Sequence, residues 1–421
     1  MSVDTLLYGE YILLDDDLGK GGQAKVIKVR HNEYGYVRAL RLGASGLKES
    51  SIEWKNFKER CGRLLRLCNG NHPNIVHCHQ PKLVSGQAFF EMDFITGDNL
   101  IDYLNKNDNY LPIEEVLHMV VQISDALSFC HYGTYEYCLN PDTDVDKDTG
   151  ESLVQTDEND SKKLVPVNEE ARLKLIKMHQ VIHNDISSQN IMRCSNGTFV
   201  LIDFGLSVEG DYVVSQDSIS MRAGHPLYKS PERWDGKAPS TQSDIYSFGV
   251  VMYEYLTGHV PFPRPINPAG INDKLEELRQ LSIAHHKTKI PSIIEGRKKA
   301  FEKKYPDKIF KVEPDIKWLE KAILKCLEKE PDKRFNDGKE LNDFIKEHLR
   351  KDSLLYKDEE IKKMKESNDE LLSEIQSLKK ENKDLNKQIM EVTNHRKCKK
   401  CGTIPSTPYA IYCRKCGEIL D

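Results

Sequence analysis

Between residues 8 and 95, short apolar runs alternate with polar stretches in the two-residue period of strands: Tyr11 to Leu14, Ala24 to Arg30, Tyr36 to Leu42 and Phe89 to Phe94. One segment there, about Ser51 to Leu67, has the 3.6-residue spacing of a helix. The pattern predicts a small sheet carrying one helix. From Leu100 to His131, and again from Ser240 to Leu349, the apolar spacing is helical, as in Val116, Val120, Ile123, Ala126 and Leu127. A β-rich patch at Val181 to Leu206 lies between them. The expected fold class is α+β, with a small β-rich lobe over 8–95 and a larger helical lobe over 96–350.

Three segments break this pattern. Leu139 to Glu170 holds ten acidic and three basic residues, no aromatics and few aliphatics, so it is expected to be a disordered insertion over about 139–170. Its Asp142, Asp144, Asp146 and Asp148 alternate as in a calcium loop, but no register gives both the sixth-position Gly and the twelfth-position Glu. After Arg350 a heptad frame appears, with Ile361, Asn368, Ile375, Asn382 and Ile389 at a and Met364, Leu371, Leu378, Leu385 and Val392 at d. Ile at a with Leu at d favours two parallel strands, and the Glu360–Lys365 and Glu374–Lys379 pairs are complementary between them. A coiled coil over 351–395 is predicted, forming a parallel homodimer through 361–392; the competing reading is one amphipathic helix folded back on the globular part.

Cysteine usage marks the third segment. Seven of the 11 cysteines are scattered and read as reduced core residues. The other four form two C-x-x-C-G knuckles, Cys398 with Cys401 and Cys413 with Cys416, which resemble a short zinc ribbon over 396–421. Four thiolates suit a closed tetrahedral Zn²⁺ site whose binding would supply the folding free energy of so short a tail. Its six basic residues against two acidic leave a docking role toward an unnamed partner as the default, with a nucleic-acid-binding regulator resting on local charge alone. The whole chain has 61 Lys and Arg against 66 Asp and Glu, a net charge of -5, which argues against nucleic acid or an anionic membrane as its general partner. No apolar run approaches the roughly 18 residues that span a bilayer, and Glu254 stops the best stretch, Phe248 to Tyr253. The N-terminal segment lacks a basic region and a small-residue cleavage site, so a soluble, cytoplasmic chain without a membrane partner is expected.

Chemistry is carried by motifs in a fixed order. Leu18-Gly19-Lys20-Gly21-Gly22-Gln23-Ala24-Lys25-Val26 sits at a strand-turn-strand position, where glycines let backbone N–H groups approach phosphate oxygens. There follow His183-Asn184-Asp185-Ile186-Ser187-Ser188-Gln189-Asn190, Asp203-Phe204-Gly205, Ser230-Pro231-Glu232, the run DIYSFGVVMYEYLTGHVPF from Asp244, and Pro331-Asp332-Lys333-Arg334. Over about residues 8–350 the chain resembles the eukaryotic-type protein kinase family. The resemblance implies a bilobal fold, ATP and Mg²⁺ in the cleft between the lobes, and a protein substrate. Phosphoryl transfer needs positioning and charge neutralisation more than covalent help. Asp185 is then the catalytic-loop base, and Asn190 and Asp203 are the Mg²⁺ ligands. Leu18, Gly19, Gly21, Ala24, Val26, Ala39 and Arg41 would surround the nucleotide, with Met92 as gatekeeper and the backbone of Asp93 to Ile95 on the adenine edge. Glu232 and Arg334 match the family's buried ion pair, a structural role. Gly224-His225-Pro226-Leu227-Tyr228 and the absence of a tyrosine-kinase-like basic residue in the catalytic loop point to Ser/Thr transfer.

Several positions depart from the family. Arg41 stands where it has a phosphate-binding Lys, and a planar guanidinium does not replace a compact ammonium conservatively. Neither Lys25, which strand alternation points away, nor Lys28, beyond the loop, is a clear substitute. Ser187 replaces the Lys that neutralises the γ-phosphate, and the helix glutamate that would pair the strand cation is Glu59 or Glu53. Asn184 replaces the Arg that pairs a phosphorylated loop, although Tyr212, Ser215, Ser218 and Ser220 are available there; activation by dimerisation is therefore expected to outweigh loop phosphorylation. Two readings result: a kinase, favoured by Asp185, Asn190 and Asp203, and a pseudokinase scaffold, favoured by Arg41 and Ser187, that binds nucleotide weakly or not at all and signals by dimerising and docking through its ribbon.

Overall fold

The computed structural model describes residues 7–21, 24–137, 139–157, 160, 163–204, 207–209, 224–265, 274–313 and 316–351, and beyond them 375, 377–380, 383–385, 399–402 and 415. The chain divides into two compact units, Met1–His348 and Leu349–Asp421. Among the described residues no helix is long and apolar enough to cross a membrane.

Five antiparallel strands form the first lobe: β1 (Tyr11–Gly21), β2 (Ala24–His31), β3 (Val37–Leu42), β4 (Cys78–Val84) and β5 (Gln87–Asp93), in the order β1-β2-β3-β5-β4. Alternation sorts their side chains. Tyr11, Ile27, Val29, Leu40 and Phe89 pack together on one face, while Val26, Ala39, Arg41 and Met92 lie on the other through the pairings Val26 with Arg41 and Ala39 with Met92. α1 (Ile52–Asn69) begins where the Ser51 hydroxyl accepts the Trp54 amide, and it buries Trp54, Phe57, Cys61 and Cys68 at helical spacing. The strand β4 has no counterpart in the sequence pattern. Its Pro81 interrupts the alternation and sits at a register shift against β5, at the sheet edge where a missing N–H is tolerated.

The second lobe packs around α2 (Leu100–Lys106), α3 (Ile113–Ser128), α4 (Glu169–His179), a one-turn α5 (Pro231–Trp234) and α6 (Thr241–Thr257). α6 is buried along most of its length, opened by a Ser240–Ser243 capping box and closed by Gly258 at φ 82°. Helices α7 (Lys274–Lys287), α8 (Ile293–Lys304), α9 (Ile316–Cys326) and α10 (Gly338–Lys351) complete the lobe. Short strands at Gly97–Asn99, Ile191–Cys194 and Phe199–Leu201 form one small sheet beneath the first lobe's strands, which is the β-rich patch expected from the sequence.

The acidic insertion corrects the sequence reading: described residues of 139–170 are folded. Val154–Thr156 and Leu164–Pro166 pair as a hairpin, and Leu153 and Val154 bury themselves against Tyr135 and against Ala171, Leu175 and Ile176 of α4. Asp144 accepts the Asn140 amide and pairs with His179 at 2.9 Å; Asp146 accepts the Asp148 and Thr149 amides and pairs with Lys174 at 2.6 Å. The carboxylates cap turns and meet the Lys174 ammonium and the His179 ring, so they do not simply repel. The partners Tyr135, Lys174 and His179 lie outside the window whose composition suggested disorder.

Candidate active site

The hairpin of β1 and β2 pairs Gly19 with Val26, Lys20 with Lys25 and Gly21 with Ala24, which leaves Gly22 and Gln23 at its tip, outside the described residues. Leu18, Gly19, Gly21 and Ala24 all lie within this hairpin. Val26 and Arg41 are cross-strand neighbours, and Ala39, two residues from Arg41, meets Met92 of β5. Asp93 ends β5, and Ile95 lies in the short connection to the strand at Gly97. Lys28 holds its ammonium over the Phe94 ring, 4.1 Å from the centroid, at the end of the cleft away from Arg41's partner.

That partner is Asp203. The Arg41 guanidinium donates to Asp203 Oδ1, and the pair joins the two lobes. Arg41 is nearly enclosed, at 11% side-chain exposure, while the Asp203 side chain is 39% exposed. Neither helix glutamate is placed on Arg41: Glu53 is exposed in the first turn of α1, and the Glu59 side chain lies outside the description. Phe204 packs its ring on His183, with centroids 4.5 Å apart.

The catalytic-loop side is held more tightly. Asn190 donates from Nδ2 to the Asp185 carbonyl at 2.8 Å and to its Oδ2 at 3.1 Å, and the His225 amide donates to Oδ1 at 3.0 Å. Burial pushes the Asp185 carboxyl above the ordinary range; the nearby Asp203 charge adds to the shift, and the bonds from Asn190 and His225 oppose it. The Ile202 amide donates to the Asn190 carbonyl at 2.9 Å, so Asn190 and Asp203 are tied by the backbone.

Residues to which the sequence reading assigned no role in the site hold this loop. Asp244 of α6, 1% exposed, accepts the His183 and Asn184 amides at 2.7 and 2.8 Å, which fixes Asn184 in its left-handed conformation at φ 64°. Its Oδ2 also meets His131 Nε2 at 3.1 Å. Because His131 Nδ1 accepts the Gly338 amide at 3.0 Å, Nε2 carries the proton and donates to Asp244. Ser188 and Tyr228 both donate to Glu254, at 2.5 and 2.7 Å. Ser187 is buried at 1% exposure and presents no charge to the cleft. Burial pushes the His225 pKa down to about 4, and its Nδ1 has no hydrogen-bond partner among the described residues. The signal for Asp244 was its place at the head of a quoted motif; nothing local marks His131.

Glu232 and Arg334 form the expected buried pair, with two N–H···O bonds of 2.8 Å. Gly205, Tyr212, Ser215, Ser218, Ser220, most of the heptad positions, Cys398, Cys413 and Cys416 lie outside the described residues. Cys401 is half-buried in a turn preceding Gly402 at φ 69°.

Residues 156–353 match the family model described as the protein kinase domain. The probable serine/threonine-protein kinase PknB of Lactococcus lactis subsp. lactis is 23% identical over 330 residues, 77% of this chain and 40% of that protein. The serine/threonine-protein kinase SIK1 of Mus musculus is 25% identical over 252 residues, 60% of this chain and 25% of SIK1. The G2-specific protein kinase nimA of Emericella nidulans is 28% identical over 253 residues, 59% of this chain and 32% of nimA. The chain therefore spans two fifths or less of the length of these relatives. A strand-rich lobe, a helical lobe and the loop joining Asp185 to Asn190 between them agree with these matches: residues 156–353 are similar to the protein kinase domain, and the chain is similar to serine/threonine protein kinases.

Proposed function

We propose that the chain transfers the ATP γ-phosphate to Ser or Thr hydroxyls of proteins. The observation that carries this reading is the Asp185 carboxylate, oriented from both sides by Asn190 and the His225 amide and backed by buried Asp244. Asp185 aligns the attacking hydroxyl and takes its proton; its raised pKa makes it a better base than a solvated carboxylate. The family implies Mg²⁺, and the donors here fit a hard cation. Asp203 offers an open carboxylate edge, and Asn190, with Nδ2 committed to Asp185, turns its amide oxygen the other way. When bound, Mg²⁺ neutralises charge on the phosphate oxygens. Leu18, Gly19, Gly21, Ala24, Val26, Ala39, Met92, Asp93 and Ile95 enclose the nucleotide. Arg41 supplies the phosphate cation, moving from Asp203 as the site fills.

A parallel homodimer through 361–392 is part of the reading. Ile375, Leu378 and Leu385, at a and d positions, are 44, 54 and 49% exposed on helical turns of the single chain, an apolar stripe suited to a second copy. The tail cysteines Cys398, Cys401, Cys413 and Cys416 are proposed to hold one Zn²⁺, on the strength of their spacing. The deciding experiment is γ-phosphate transfer from Mg·ATP to the chain itself and to a generic basic protein. Transfer in the wild type and none in Asp185→Asn is the expected result. No transfer in the wild type at high enzyme concentration would overturn the kinase reading in favour of a scaffold.

A further inference from the structure

On the face of the first lobe turned away from Ala39 and Met92, two imidazoles and a carboxylate converge. Pairing of Cys78 with Met92 puts His77 opposite Asp93, and alternation brings His79 to the same face. The result is a cluster in which one ligand atom from each of His77, His79 and Asp93 lies within 4.8 Å of the other two. His79 Nε2 is 3.6 Å from Asp93 Oδ1 and is buried without a hydrogen-bond partner among the described residues. A buried nitrogen left unsatisfied costs free energy unless something fills the gap. Arg38 approaches Asp93 at 3.5 Å as a competing cation, but Glu91 at 4.0 Å gives it a second carboxylate.

We propose that His77, His79 and Asp93 form a binding site for a divalent cation of the zinc class. Two nitrogens and one carboxylate oxygen are a borderline-soft set, suited to Zn²⁺ and unsuited to Mg²⁺ or Ca²⁺, which prefer all-oxygen shells. Ligands about 2.0 to 2.2 Å from a tetrahedral ion lie roughly 3.3 Å apart, so His79 and Asp93 are already near bonding separation. The fourth position opens to solvent, since 48% of the Asp93 side chain is exposed. The site also regulates nucleotide binding, a part of the proposal that rests on the kinase reading above. Asp93 carries the backbone assigned to the adenine edge, and its amide donates to the His77 carbonyl at 2.9 Å. A metal bridging Asp93 to His77 and His79 clamps that backbone to β4.

The test titrates Zn²⁺ into metal-free, full-length protein against a chromophoric chelator. The background carries Ser at Cys398, Cys401, Cys413 and Cys416, so that tail thiolates do not contribute. One equivalent is expected to bind, and His77→Gln with His79→Gln is expected to weaken it at least tenfold while the metal-free melting temperature stays unchanged. Equal zinc binding with and without the two imidazoles overturns the site. Co²⁺ added to the otherwise unsubstituted chain gives a readout independent of those variants. Visible d–d bands in excess of the thiolate-linked signal support the site, and thiolate-linked bands alone overturn it. Adenosine, which has no phosphates to chelate zinc, then reports the coupling. A several-fold change in its affinity on adding Zn²⁺, absent in the double variant, supports the clamp. Unchanged affinity overturns the clamp and leaves the metal site standing. Failure to bind adenosine at all strikes the kinase reading, because the zinc titration does not depend on it.

Discussion

The two sides of the cleft are built differently. On the helical side Asp185 stands on a buried foundation, with Asp244 accepting two loop amides and the His131 ring, and Glu254 holding Ser188 and Tyr228. On the strand side, among the described residues, Arg41 meets Asp203 across the cleft as an ion pair between a nearly enclosed guanidinium and a partly exposed Asp203 side chain. Hydrogen bonds buried on all sides resist change, because a broken one leaves an unsatisfied group in a low dielectric. An ion pair with one partner partly exposed is held less firmly on that partner's side, where water can replace the lost contact. The catalytic-loop side of the cleft is therefore held by more buried hydrogen bonds than the Arg41–Asp203 side.

The comparison is broken most severely at Asp185. Asp185→Asn is expected to lower the transfer rate by roughly 10² to 10⁴ with the fold intact, measured as initial rates beside a melting curve. Asp244→Ala tests the foundation; it strands two backbone amides and the His131 N–H, and should cost at least about 3 kcal/mol in urea denaturation. Arg41→Ala tests the strand side. Loss of a charge-assisted phosphate contact is expected to raise the KM for ATP roughly 10- to 100-fold, while the Mg²⁺ concentration for half-maximal rate falls because Asp203 is released.

A smaller effect comes from two buried neutral histidines. Burial lowers His225 to about 4 and His285 to about 3, so the unfolded chain, with ordinary histidines near 6.5, binds more protons on acidification. Their contribution is complete above pH 6.5 and is lost as pH falls toward 4 and 3. Between pH 7 and pH 5 each withdraws about 2 kcal/mol, and His285→Phe should flatten half of that slope in denaturation midpoints.

The parts of this design that were legible in the sequence are the local ones. Strands β1, β2, β3 and β5 follow from alternation, and α1 from its spacing and Ser51 cap. Asp185, Asn190 and Asp203 follow from motif spacing. What escaped depends on distance along the chain. Arg41 and Asp203 are 162 residues apart, His131 and Asp244 are 113 apart, and no local pattern marks either pair. The insertion misled for a related reason: its net charge is visible within the window, while Tyr135, Lys174 and His179, which cover it and bond to its carboxylates, are not. β4 was hidden because Pro81 broke the alternation that announces a strand.

The same proline has a consequence for how the protein behaves in a crowded solution. β4 is the outer strand of the five-stranded sheet, and an outer strand offers a row of unpaired backbone groups to any passing chain. A ring nitrogen without a proton and a shifted register interrupt that row where an invading strand would have to align. Pro81 thus removes one donor from this edge strand, and the irregularity that obscured the strand in the sequence makes the edge a poorer template for edge-to-edge pairing.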